Sequence, residues 1–131
     1  MSSKLETVQQ IYACFAQGDI PGIIAKLADD VTFYNDANPQ ITPWGGTFRG
    51  KDGVMQFFRN LGANSQTTHF EPFNFREEGG KIMNEVRHDG IITTTGNPFS
   101  VTVLFTWSFN NAGEVTGWEG TGDFSGIDNA F

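Results

Sequence analysis

The sequence predicts an α+β fold, on three observations. Apolar residues recur at steps of three and four in three stretches, all before residue 62. After Gly62 the period falls to two. The four strand-like runs that follow are joined by links of turn length, which makes them an antiparallel meander rather than β–α–β units.

Leu5, Val8, Tyr12 and Phe15, with Ile11 beside them, form the buried stripe of a first helix over roughly 4–17, stopped by Gly18. Asp19 is an N-cap and Pro21 suits a first helical turn. Ile20, Ile23, Ile24 and Leu27 give the second helix its apolar face, and it runs out at Asp29-Asp30. Val31 to Tyr34 reads as a short strand. A loop follows, through Asn35-Asp36-Ala37-Asn38-Pro39 and Pro43-Trp44-Gly45-Gly46. Lys51 to Leu61 is a third helix, with Val54, Phe57, Phe58 and Leu61 on one face and Asp52 in its first turn.

The strands come next. Thr67 to Glu77 places Phe73 and Phe75 on one side, and Pro72 confines it to an edge or a bulge. Gly79-Gly80 turns the chain into a long strand, Ile82 to Thr95. Gly96-Asn97-Pro98 turns it again into Phe99 to Asn110, and Asn111-Ala112-Gly113 leads to a last strand, Glu114 to Phe124. Within the third of these, VLFTWSF alternates without a break: Val103, Phe105, Trp107 and Phe109 face one way, Leu104, Thr106 and Ser108 the other.

The totals narrow the function. A chain of 131 residues fits one domain, 1–131, and 13 Phe with 3 Trp promise a ring-rich core. A net charge of −7, with only 8 Lys and Arg, argues against nucleic acid and anionic membranes as partners. Cys14 is the single cysteine, so an internal disulfide and a thiolate zinc site are excluded. His69 and His88 are the only histidines and lack ligand spacing, so no metal is expected. No phosphate-cradling glycine motif or nucleophile–histidine signature appears, and no cofactor is expected. MSSKLETVQQ has no apolar signal core, and no stretch approaches a membrane span. The expectation is a soluble, cytoplasmic protein.

Four segments, in order and spacing, resemble the NTF2-like superfamily, which includes ketosteroid isomerases and SnoaL-like polyketide cyclases. They are Gly18-Asp19, Leu27-Ala28-Asp29-Asp30-Val31, Gly50-Lys51-Asp52-Gly53 and Phe109-Asn110-Asn111-Ala112-Gly113-Glu114-Val115. The resemblance implies a cone-shaped fold, a curved antiparallel sheet wrapped around the N-terminal helices. The pocket-facing row then falls on Val101, Val103, Phe105, Trp107 and Phe109, on Trp118, Gly120 and Gly122, and on Val86, His88, Gly90 and Ile92. Gly120 and Gly122 would leave volume opposite the rings. The rings either line a hollow or interlock as core.

By the same resemblance, the isomerase base falls at Asn35, the tyrosine donor at Ile11 beside Tyr12, and the acid donor at Phe105. None can perform its role, which excludes steroid isomerisation. The remaining catalytic candidates are His88, at inward parity with an unperturbed pKa near neutrality, and Asp36, one residue past the position of the base. Each has a structural alternative, a hydrogen-bonded core histidine and a turn aspartate. The expected ligand-binding set is Asn35, Trp44, Phe58, Val103, Phe105, Trp107 and Trp118, around a small hydrophobic organic molecule. Trp44 caps the pocket or anchors its loop. Three functions stay open: a cofactor-free isomerase, cyclase or dehydratase; a non-catalytic carrier or sensor; and a structural module. Glu85, Arg87 and Asp89, with Thr102, Thr106 and Ser108, lie on the opposite sheet face, through which the resemblance implies a homodimer.

Overall fold

The computed structural model describes residues 3–131. Its elements are α1 (Ser3–Ala16), α2 (Ile20–Ile24), β1 (Leu27–Asn35), β2 (Gly46–Arg49), α3 (Gly50–Asn64), β3 (Ser65–Glu78), β4 (Lys81–Ile92), β5 (Pro98–Phe109), β6 (Val115–Thr121) and α4 (Ser125–Asp128). The six strands make one curved sheet in the order β2-β1-β6-β5-β4-β3. All neighbours are antiparallel except β1 and β6, which run parallel. The fold is α+β, with the helices on the concave side, as the sequence predicts.

Gly18 ends α1 with φ +71°, a conformation that costs a glycine little, and the next amide, of Asp19, bonds back to the Cys14 carbonyl at 2.8 Å. The Asp19 carboxylate then caps α2 by accepting from the Gly22 amide at 3.0 Å. Here the structure departs from the sequence reading. α2 stops at Ile24, and Leu27 to Asp30 belong to β1, Leu27 lying opposite Val115 in β6. Pairing with β6 overrides the helical spacing of Leu27, which is fully buried in the strand. A register shift between Leu27 and Thr32 turns Asp29 and Asp30 out to solvent.

Two elements have no clear periodicity and are new: β2, four residues at the sheet edge, and α4. β3 is the other edge strand, which is where Pro72 can sit without breaking a central ladder. The predicted pairing of Phe73 with Phe75 on one face fails. A bulge between Phe73 and Arg76, with Asn74 at φ +59°, inverts the alternation. Phe73 is 40% exposed, whereas Phe75 packs edge-on against Tyr12.

The core lies between the concave face and the helices. Val8 and Ile11 of α1, Val54, Phe57 and Leu61 of α3, and Phe33, Trp107 and Trp118 of the sheet are all buried. Among the described residues no helix is long and apolar enough to cross a membrane.

Candidate functional site

On β4 every second residue from Ile82 to Ile92 faces the concave side, so Asn84, Val86 and His88 are buried there while Glu85, Arg87 and Asp89 face away. The register carries that row across the sheet. Trp107 lies opposite Ile82 and Trp118, Phe105 opposite Asn84 and Gly120, and Val101 opposite His88. Phe33 and Asn35 of β1 continue the two upper rows beside Trp118 and Gly120.

These side chains enclose a cavity. Its wall includes Tyr12 and Phe15 of α1, Phe58 of α3, Trp44 of the β1–β2 loop, and Phe124 and Ile127 at the C-terminal helix, besides Asn35, His88, Val101, Val103, Phe105, Trp107 and Trp118. The centres of water-sized spheres can occupy about 70 Å³ inside it. A sphere of that volume, grown by the radius of a water molecule, encloses roughly 260 Å³, space for roughly a dozen heavy atoms. The wall is almost entirely carbon, and no Lys, Arg, Asp or Glu contributes to it.

The glycines opposite the rings do not all leave room. A Cβ on Gly120 would lie 2.9 Å from the Trp118 ring, which folds over it. Gly90 is covered by the Phe99 ring in the same way. Gly122 alone is in ordinary contact, with Val103. Phe109, expected in the inward row, lies past a register shift between Ser108 and Phe109 and is absent from the wall.

Four polar groups border the hollow. His88 is 8% exposed, and its Nε2 is 2.9 Å from the Thr67 hydroxyl. Burial among Phe70 and Phe99 disfavours the imidazolium and lowers its pKa to about 4, against a weaker opposing pull from Asp89. His88 is therefore neutral at pH 7. The unfolded chain takes up this proton near 6.5 and the folded one only near 4, so the unfolded state binds more protons in between. Stability is expected to be complete above pH 6.5 and to fall by up to about 3 kcal/mol as the pH drops through 4. His88→Gln should flatten that part of the stability curve; the same slope in both proteins would contradict it.

Asn35 is spoken for at both ends. Its Nδ2 donates to the Trp44 carbonyl at 2.7 Å and its Oδ1 accepts from the Ala37 amide at 3.1 Å. It thereby anchors the loop that brings the buried Trp44 ring to the wall. The third group was not singled out from the sequence: the Tyr12 hydroxyl donates to Asn84 Oδ1 at 2.8 Å and accepts from Trp107 Nε1 at 3.1 Å. Burial holds the Tyr12 pKa above its ordinary value. Extending the inward parity of β4 back from Val86 would have found Asn84. The fourth is Trp118, whose buried Nε1–H has no hydrogen-bond partner, at a cost of about 1–3 kcal/mol.

Asp36 stands outside this arrangement. It is exposed, accepts from the Tyr34 hydroxyl at 2.7 Å and the Gly122 amide at 3.0 Å, and does not line the cavity. The other expected residues, Asn35, Trp44, Phe58, Val103, Phe105, Trp107, Trp118 and His88, all do. Among the described residues no cluster of three or more side chains could hold a metal ion.

The SnoaL-like domain family model matches residues 8–118. No curated protein sequence matches the chain. Among solved structures, an NTF2-like protein of unknown function from Burkholderia pseudomallei shares 26% identity and a TM-score of 0.88, covering 99% of this chain and 98% of that one. TerC, co-crystallised with polyporic acid, aligns with a TM-score of 0.85 at 21% identity, over 98% of each chain. A Mycobacterium tuberculosis protein in complex with estradiol-17β-hemisuccinate aligns with a TM-score of 0.72 at 24% identity, over 96% of this chain and 98% of that one.

Proposed function

Because the chain belongs to the SnoaL-like domain family, a fold that hosts binding proteins and enzymes alike, we propose that it binds a small hydrophobic organic molecule inside the cone. The observation that carries this is the cavity itself: a ring-lined hollow with no charged wall. A purely structural module would gain stability by filling that space. Neighbours of the same fold solved with polyporic acid and with estradiol-17β-hemisuccinate support the reading.

A second reading, cofactor-free proton transfer by isomerisation, cyclisation or dehydration, is favoured by one observation. His88 borders the cavity and is neutral at pH 7, so its unprotonated ring nitrogen can accept a proton, with Nε2 held 2.9 Å from the Thr67 hydroxyl. Asn35, with both amide ends engaged, and Asp36, facing solvent, support no step of it. We expect no steroid isomerisation, since Phe105 falls where the resemblance puts the acid donor.

The outer face of the sheet, with Arg87 paired to Asp89 at 3.0 Å and Arg76 to Glu85 at 2.9 Å, is the surface through which we expect a homodimer. Native mass spectrometry of the untreated protein reads both proposals. The expected result is twice the 14.4 kDa chain mass carrying a small organic adduct. Val103→Phe, which fills the hollow, should remove the adduct and leave the dimer. A monomer would end the dimer proposal. An adduct that survives Val103→Phe would end the assignment of the cavity.

A further inference from the structure

Trp118 carries an observation that the binding of an apolar molecule does not use. Its indole forms part of the cavity wall, the residue is 5% exposed, and its Nε1–H is the one buried side-chain polar atom among the described residues without a hydrogen-bond partner. Buried donors are almost always paired, so an orphan on a residue of a cavity wall points to a partner that comes from outside the chain.

The surroundings say what that partner is. The rings packed on Trp118 are Phe33, Phe57, Phe105 and Trp107. The Trp107 N–H is already committed to Tyr12. A buried water there would need a second polar partner, and the Asn35 amide and Tyr12 hydroxyl on the same wall are already engaged. The edge-on contact with Phe105, at 4.8 Å and 88°, provides at most a weak π acceptor. A carboxylate or phosphate would satisfy the donor, but no cation lines the cavity and the chain carries a net charge of −7. An unpaired anion there would lose its hydration without compensation.

The geometry points to Trp118 as the specificity-determining donor of the site, its Nε1–H reserved for a neutral acceptor, a ketone, aldehyde, quinone or lactone oxygen, on an otherwise apolar ring molecule. This rests on the cavity being a ligand site. The register sets Trp118 in the row of Trp107 and Ile82, six residues along β4 from His88. The carbonyl end of the ligand lies toward Trp118 and the rest of its skeleton toward His88. Neighbouring side chains bury the N–H, so a ligand reaches it only by displacing a ring, and of the four packed on Trp118 only Phe105 is not fully buried.

The test uses three probes on the full chain: α-tetralone, which fits a dozen-atom cavity and carries one carbonyl; tetralin, the same skeleton without it; and α-naphthoate, an anion of similar size. By calorimetry the ketone is expected to bind about tenfold tighter than the hydrocarbon, and the anion at least about tenfold weaker than the ketone. In Trp118→Phe the preference for the ketone over tetralin disappears, read as the ratio of the two affinities whatever their absolute change. Independently of whether that variant folds, the Trp118 Nε1–H resonance of the nitrogen-labelled wild-type protein should move downfield with α-tetralone and not with tetralin. Equal binding of ketone and hydrocarbon, or an unmoved resonance, overturns the role of Trp118 and leaves the cavity a ligand site. Preferred binding of α-naphthoate overturns the neutral class. Binding of none of the three overturns the ligand site itself, and this inference with it.

Discussion

Trp107→Ala should cost about 3–5 kcal/mol of folding stability, the range for deleting a large buried ring. Trp107 is 3% exposed at the centre of the ring cluster, with Tyr12 at 5.8 Å, Phe33 at 6.2 Å and Trp118 at 6.4 Å between centroids. Truncation leaves a void that its neighbours are held too rigidly to fill. It also takes away the N–H that the Tyr12 hydroxyl accepts. Trp107→Phe keeps a ring in place and loses the donor together with part of the indole's volume. It should cost about 1–2 kcal/mol, because Tyr12 still donates to Asn84. Urea denaturation of the three proteins measures both steps. A loss below about 1 kcal/mol for Trp107→Ala would mean that the site collapses readily, contrary to a cone held open by its walls.

Gly90→Ala is the second large effect, at about 3 kcal/mol. The added methyl would sit 2.5 Å from the tip of the Phe99 ring and 2.6 Å from the Gln66 carbonyl on β3. A ring tip can swing aside; a backbone carbonyl in a paired strand moves only with its strand. The double variant Gly90→Ala, Phe99→Leu should therefore recover part of the loss and not all of it. Full recovery would show that the ring was the whole obstacle, and no recovery that the strand contact alone decides. The displaced ring would press on His88, whose centroid is 5.1 Å away, so the pH window of His88 should shift in the single variant as well.

Much of this architecture was legible, for identifiable reasons. The strand–turn–strand series after Gly62 announces itself because alternation and glycine turns are local properties. Parity put Val103, Phe105 and Trp107 on one face, the family resemblance turned that face and Val101 towards a pocket, and all four line the cavity. Parity failed where a bulge intervenes. Asn74 at φ +59° separates Phe73 from Phe75, and a register shift takes Phe109 out of its row. Neither irregularity has a signal in residue type, because asparagine is common in strand-flanking turns and Phe109 continues a perfect pattern. Leu27 was assigned to a helix by spacing and joined a strand through a partner in β6, 88 positions along the chain, which no local window contains. The glycines misled in a different way. The absence of a side chain at Gly120 says that space exists there, but not that the indole of Trp118, two residues back on the same strand, takes it. Likewise the Tyr12–Trp107–Asn84 bonds join residues from three elements, and each looks unremarkable by itself.

The last segments of the chain also complete the cone. β6 inserts between β1 and β5, and α4 is tied to the β1–β2 loop where Asp128 accepts from the Thr42 hydroxyl at 2.6 Å and the Asn38 amide at 3.1 Å. During synthesis the strand β1 must wait beside an empty slot until β6 leaves the ribosome, and the floor formed by Phe124 and Ile127 arrives later still. Long-range pairing of this kind folds slowly and keeps apolar edges exposed in the meantime. A nascent chain stalled before residue 115 thus lacks the strand that joins β1 to β5 and leaves the cone open on that side.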